Sequence, residues 1–331
     1  MPLSRRRTLA VLALAPHIGF TSRPAAAQAS EWPDRPLKII VPATAGSSID
    51  GLARIYADHL KNALGKPVVV ENRPGANQTI GIAAMKAAPA DGHTLLLTST
   101  ELVRVPLLYP NLRYDAFSEF VPLSQIAATS TYLCAPSSLG ATNLAEFIEQ
   151  AKRAPAPLSV GSPGHGSGAH FYSELLAQAA GVPLHHVAYR GEVPLVPDLV
   201  TGRIGAGWLS GNLVNQYVKE GKIKVLGAAS VKHRVPAMPS VPTFTELGIP
   251  GLDIEGFIGL FALAGTPVAR ADRLAQEFNR IRARPEVRAQ IETYGFNVGE
   301  AANRDQFEAI MRGSHEGWVQ AIRKAGIKLD A

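Results

Sequence analysis

The chain has 331 residues, with 33 lysines and arginines against 27 aspartates and glutamates and a single cysteine. The first 29 residues hold four of the arginines and no acid, leaving 29 basic against 27 acidic side chains beyond them and no basic block to favour nucleic acid. One cysteine, Cys134, excludes an internal disulfide, and no segment beyond the N-terminal region has the ~20 unbroken apolar residues of a membrane span.

Arg5, Arg6 and Arg7 precede the apolar run Leu9 to Leu14, and small residues end at Ala27-Gln28-Ala29. That is the layout of a cleavable secretory signal over residues 1–29, with a faint twin-arginine character that leaves both the Sec and the Tat routes open, and it predicts a periplasmic product. Such a chain must be held by its core alone, and about 300 residues suit two domains better than one.

Leu37 to Val41 is a continuous β-type run. The loop Pro42 to Ser48 follows, then Ile49, Leu52, Ala53, Tyr56 and Leu60 at helical spacing, with a glycine stop at Gly65. Val68 to Val70 and Thr94 to Leu97 are further short strands, with helix-compatible sequence from Ile80 to Ala88 between them. Strands alternating with helices imply a parallel sheet covered on both faces. The plan restarts with a strand at Tyr132 to Ala135, a helix from Asn143 to Arg153, a strand from Leu158 to Val160, and a helix carrying Phe171, Leu175 and Ala179 that stops at Gly181. His186 to Ala188 and Val225 to Ala228 are later strands, separated by a helix from Pro194 to Val200. After Gly256 the pattern is mostly helical: Thr266 caps and Pro267 opens a segment reaching Arg282, and two more helices run from Glu286 to Tyr294 and from Arg304 to Lys324. With so few strands of its own, this tail is expected to pack on the first domain.

Two loops carry the chemistry: Ala43-Thr44-Ala45-Gly46-Ser47-Ser48, and Ser162-Pro163-Gly164-His165-Gly166-Ser167-Gly168. Each leads from a strand into a helix, whose first turn presents unpaired N–H donors and a partial positive charge, so an anion can be held there without a charged side chain. Glycine lets the backbone approach a ligand, and the hydroxyls add directional donors. For either loop alone, capping without ligand contact is an equal reading: Ser47 with Asp50 resembles a capping box, and Ser167 can cap the next helix. Two such loops in two domains favour a cleft between them.

Enzyme motifs fit less well. Position 165, two before Ser167, is histidine where a nucleophile elbow needs glycine, and no acid ends the strand after the Gly164-x-Gly166-x-x-Ala169 stretch, as a dinucleotide site requires. The adjacent His185 and His186 point to opposite faces of a strand, and no metal-ligand spacing occurs, so neither metal nor cofactor is expected.

The segments "PLKIIVPATAGSSIDGLAR", "LGKPVVVENRPGANQTIG", "APADGHTLLLTST", "LSVGSPGHGSGAHFYSELL", "HHVAYRGEVPLVPDLVTGRI" and "FALAGTP" resemble, in order, the signatures of the Bug family, the periplasmic receptors associated with tripartite tricarboxylate transporters. The resemblance implies an α/β, two-domain periplasmic-binding-protein type II fold: residues 30–131 plus 256–331 form one domain and 132–255 the other, each a mainly parallel sheet flanked by helices. It implies a monomer that holds the carboxylate of a small organic acid between the two loops and hands it to a membrane permease, or alternatively to a membrane sensor; a hydrolase using Ser167 is a weaker alternative. The implied contacts are Thr44, Ala45, Gly46, Ser47, Ser48 and Asp50 from the first loop and Ser162, Gly164, His165, Gly166, Ser167 and Gly168 from the second, with His170 mainly architectural. Arg73 is expected in a buried structural pair, and Gly75 and Gly81 in turns. Thr100-Glu101 and Trp208-Leu209-Ser210 depart from the family pattern. Thr100, Glu101, Trp208 and Ser210 are therefore expected to read the rest of the ligand, with Trp208 as an apolar platform and Glu101 disfavouring a second carboxylate.

Overall fold

The structure, a computed structural model, describes residues 32–327 apart from 110, 113 and 232. The expected signal over residues 1–29 lies outside the described residues. In chain order the first elements are β1 (Leu37–Val41), α1 (Ser48–Leu64), β2 (Val68–Asn72), α2 (Thr79–Lys86), β3 (Thr94–Ser99), α3 (Glu101–Leu108) and β4 (Phe120–Thr129). Next come β5 (Thr131–Pro136), α4 (Leu144–Arg153), β6 (Leu158–Ser162), α5 (Gly168–Ala180), β7 (Leu184–Ala188), α6 (Leu195–Val200), β8 (Ala206–Ser210), α7 (Gly211–Lys219) and β9 (Ile223–Ala229). The chain ends with β10 (Gly256–Leu263), α8 (Val268–Ala283), α9 (Pro285–Thr293), β11 (Asn297–Val298) and α10 (Arg304–Ala325).

These elements build two sheets, ordered β11-β4-β10-β3-β1-β2 and β7-β6-β8-β5-β9. Apolar runs make their inner strands two-faced: Ile39 and Val41 face a cluster with Leu52, Tyr56 and Phe278, while Ile40 between them faces Leu96, Phe261 and Phe307. The second sheet alternates likewise, Leu133 and Ala135 facing Phe171 and Trp208 while Tyr132 and Cys134 face Leu195 and Leu209. Each fully buried Leu, Phe or Tyr contributes about 1.5–3 kcal/mol, which is what holds a chain without disulfides.

The two-domain α/β fold is as expected, but each sheet is parallel only in part. β1 pairs in parallel with β2 and β3, and β6 with β7 and β8, whereas β10 runs antiparallel to β3 and β4, and β5 antiparallel to β8 and β9. The cause is the crossover: β5 continues from β4 with only Ser130 between, so it enters the second sheet from the first rather than through a strand-helix-strand unit.

Several elements escape the sequence pattern. β10 (GFIGLFAL) is buried at every position and so has no alternation to read. α3 holds Pro106 near its end, and β4, β8 and α7 lie in stretches without clear punctuation. Thr266 does not cap α8: Pro267 holds the cap position without a side-chain bond, and the buried Thr266 hydroxyl has no partner. Gly81 sits inside α2, where a Cβ would come within 2.7 Å of Pro42, so close packing rather than a turn requires it. Gly75 is a turn glycine at φ 116°. Arg73 pairs with Glu71 at 2.6 Å, but at the surface, not in the core. The tail is divided: Phe307 and Met311 of α10 join the core of the first sheet, while Trp318 and Ala321 join that of the second.

Candidate functional site

The loops after β1 and β6 close in the same way. Gly46 and Gly166 take positive φ of 81° and 71°, the region glycine occupies without Cβ strain. Ser47 and Ser167 then cap α1 and α5 with nearly equal dihedrals, φ −70°, ψ 162° and φ −68°, ψ 160°. Each serine Oγ accepts the N–H three residues on, from Asp50 and from His170, at 3.3 Å in both loops. Each glycine N–H donates to the side chain four residues on, Gly46 to Asp50 Oδ2 at 2.8 Å and Gly166 to His170 Nδ1 at 3.2 Å. The shared pattern is Gly-Ser-x-x-acceptor. It takes up the loop's own donors and leaves the first two N–H groups of each helix, those of Ser48 and Ile49 and of Gly168 and Ala169, without intrahelical partners.

All four residues line one cleft of about 760 Å³, together with groups from both sheets. Its walls carry four charged side chains: Glu101, Arg104, Arg190 and Glu192. Arg104 is 2% exposed; its Nε and Nη2 bind Glu101 at 3.0 and 2.6 Å, and its guanidinium lies 4.8 Å from the Trp318 ring centre. Its buried Nη1 has no hydrogen-bond partner and lies against Gly168 at the head of α5. Glu192 accepts both the N–H and the O–H of Ser210, while burial pushes its carboxyl above the usual range. A second cavity of about 590 Å³, between α10 and the Pro250–Glu255 return, presents no helix N-terminus comparable to these.

Comparison with known proteins bears directly on this arrangement. A family model described as the tripartite tricarboxylate transporter family receptor matches residues 52–327. The chain belongs to that family. A relative in Pseudomonas sp. (strain P51), the UPF0065 protein in the tcbD-tcbE intergenic region, is 34% identical over 97% of this chain and 94% of its own. Among solved structures, the periplasmic binding protein BugD is similar at 28% identity and TM-score 0.77, covering 90% of this chain and 99% of that one. R. palustris Rpa4515 with adipate is similar at 26% identity and TM-score 0.80, with the same coverages. MatC from Rhodopseudomonas palustris with bound malate is similar at 26% identity and TM-score 0.75, covering 88% and 100%. The Bug resemblance carried by the sequence segments is thereby shown, and the family is one of receptors.

In this receptor Thr44, Gly46, Ser47, Ser48, Thr100, Glu101, Ser167, Gly168, Trp208 and Ser210 come together on the cleft wall. Asp50 does not: it is buried behind the first loop, where it also binds Arg54 and Asn72, and so positions the cradle. Ala45 is exposed at the loop tip. Ser162, Gly164, His165 and Gly166 of the second loop are not on the cleft wall, and the Ser162 hydroxyl donates to the Gly164 carbonyl. Trp208 is 0% exposed, its N–H bound to Ser173 at 2.9 Å and its ring packed on Tyr172 and Phe244, so it closes the floor without offering a platform face. Glu101 does face the cleft, with Arg104 balancing its charge.

The sequence reading missed Arg104, Gln78, Tyr172, Arg190, Glu192 and Trp318. Arg190 and Glu192 follow the carboxyl end of a parallel strand, and that position was signal enough. Arg104 needed α3 to be recognised, after which its i,i+3 spacing from Glu101 pairs them. Also missed was a meeting of imidazoles: one nitrogen each from His165, His170 and His186 lies within 4.8 Å of the others. The His170 and His186 rings stack at 3.7 Å, and burial, then the neighbouring imidazoles, pushes their pKa values down to about 3 and about 4.

Proposed function

We propose that the mature chain is a periplasmic receptor that holds a small carboxylate-bearing organic compound in the cleft between its domains and delivers it to a membrane permease. Residues 30–131 and 256–331 form one domain and 132–255 the other, and the signal over residues 1–29 directs export. The observation that carries the reading is the pair of matched loops, which place two unspent N–H groups from α1 and two from α5 on one cleft. Preorganised amides and helix dipoles stabilise an anion at little reorganisation cost. The unpartnered Nη1 of Arg104 adds a charge-assisted donor beside the second pair. The adipate and malate of the two similar receptors fit the same chemical class.

Thr44, Gly46, Ser47, Ser48, Thr100, Ser167, Gly168 and Ser210 supply polar contacts, and Glu101 and Glu192 favour a hydroxyl or amine on the remainder of the ligand. Receptor action is supported over hydrolysis by Ser167 itself: its hydroxyl caps α5 and meets Ser162 at 3.4 Å, while the nearby His186 nitrogen binds Ser162 instead. The test is mass spectrometry of small molecules released from the purified protein, followed by thermal-shift titration with mono-, di- and tricarboxylates. A released acid that raises Tm as its concentration increases is the expected result. An empty protein with no shift across the series would reject the reading.

A further inference from the structure

Among the described residues, four other than glycine take left-handed backbone: Ala76 at φ 46°, Asn77 at φ 49°, Gln78 at φ 73° and Ser230 at φ 63°. Three are consecutive, in the loop between β2 and α2, where each Cβ meets the strain that glycine escapes. Such backbone persists only where its surroundings over-determine it, and it gathers at binding sites. Gln78 and Ser230 both line the cleft, Gln78 beside the first sheet and Ser230 at the end of β9 in the second. What holds Gln78 is its side chain, whose Oε1 accepts from the Thr98 hydroxyl at 2.6 Å and whose Nε2 donates to the Ser99 hydroxyl at 2.9 Å. Thr98 is 0% exposed and its hydroxyl has no other partner among the described residues, so its proton goes to the amide oxygen. That fixes which end of the amide faces Ser99. Ser99 therefore accepts, and its own proton remains as a donor on the cleft wall.

We infer that Gln78 is a positioning residue for ligand specificity: it holds the Ser99 hydroxyl as a hydrogen-bond donor that reads an uncharged oxygen, a hydroxyl, on a short acid whose carboxylate sits at the first cradle. The inference rests on the reading of the cleft as a carboxylate seat and adds what the rest of the ligand must carry. Ser99 ends β3, and the first cradle follows β1. The two strands pair in parallel with Ile40 opposite Leu96, so the same register carried forward sets Ala43 level with Ser99. One strand spacing, about 4.8 Å, separates them, a distance that the chain of a short hydroxy acid spans. A hydroxyl suits the position better than a carbonyl, because it accepts from Ser99 and can also donate to Glu101, which lines the same wall two residues on. A second carboxylate there would meet the Glu101 charge instead. The strained loop thus serves to bring an amide to the end of β3, where a glycine in place of Gln78 would relieve the backbone and leave Ser99 without its fixed orientation.

The experiment is calorimetric titration of the full mature chain with pairs of acids that differ by one hydroxyl: 3-hydroxybutyrate and 4-hydroxybutyrate against butyrate, and malate against succinate. In at least one pair the hydroxylated acid should bind about tenfold more tightly. Ser99→Ala, at the partly exposed end of β3, should abolish that preference. Gln78→Glu should abolish it too, because a carboxylate accepts from both hydroxyls and turns the Ser99 proton away from the cleft, while circular dichroism stays parental. The added charge weakens both members of a pair, so the ratio between them is the readout. In the Ser99→Ala background, Gln78→Glu should change the ratio no further, since the first residue acts through the second. A parent that binds none of the hydroxylated acids, or binds the members of every pair alike, overturns the inference. So does a parental ratio in Ser99→Ala or Gln78→Glu, or a further loss in the double variant. Binding of acids without a hydroxyl preference rejects this inference alone, whereas no response to any mono-, di- or tricarboxylate rejects the cleft reading itself.

Discussion

The acceptor that closes each Gly-Ser-x-x-acceptor loop, four residues after its glycine, decides whether its cradle holds its shape. Burial alone would raise the Asp50 carboxyl, but Arg54, the Gly46 N–H and Asn72 more than offset this and hold it below the usual carboxylate range. Asp50→Ala removes the acceptor for all three, and hydrogen bonds to a charged group are each worth about 1.5–3 kcal/mol. Because Arg54 is half exposed and can turn to water, the expected loss is about 2 kcal/mol by chemical denaturation, together with weaker binding of the carboxylate found by titration. The second loop uses a titratable acceptor instead. An unfolded histidine takes up its proton near 6.5, whereas His170 and His186 resist protonation down to about 3 and about 4. Between these values the unfolded state binds more protons, so stability falls as pH drops from about 6.5 towards 4. Melting curves across that window should show the fall, and His186→Gln, which takes one of the two protons out of the balance, should show a shallower one.

At the scale of elements, the sequence made the parallel cores legible, because β3 is an apolar run, β1 and β6 lead into glycine loops, and α1 and α5 begin with serine caps. What it hid were elements set by their surroundings. β10 has no alternation because α10 and α8 cover it on both faces, and α3 reads as broken because Pro106 interrupts it. The cradles were legible because their bonds are local, within four residues. Arg104 and the histidine cluster were not, because they depend on partners brought together by folding. The same holds for the close approach of the α7 start to the turn after α9, where a Cβ on Gly211 would stand 2.7 Å from the Gly295 carbonyl. This contact joins the two domains beside Phe296 and Asn212, both on the cleft wall. Gly211→Ala should therefore prop the domains apart, weakening ligand binding by about tenfold, or ~1.4 kcal/mol, while the cores of both sheets keep their stability. An isothermal titration at parental affinity would show that the contact does not limit closure.

The two halves are linked by the Thr129-Ser130-Thr131 passage from β4 to β5, by the return through Glu255 to Gly256, and by α10, which packs its first half on the core of one sheet and its second on the core of the other. Gly256 lies beside Thr129 in the β10–β4 ladder, and Ser210 and Asn297 pair with Thr131 and Ala128, so the two passages form one narrow hinge with the Gly211–Gly295 contact beside it. A ligand favours closure about such a hinge only through contacts it makes in the closed state and lacks in the open one. One held by both cradles has that difference, since α1 and α5 belong to different domains. One held by a single cradle binds open and closed forms alike and shifts nothing, however tightly it binds. The acid that raises Tm should therefore also reduce the radius of gyration in small-angle X-ray scattering, with both effects saturating at the same concentration. A carboxylate that raises Tm without compaction would be seated on one loop only, and the facing helix N-termini would then be two separate sites rather than the halves of one.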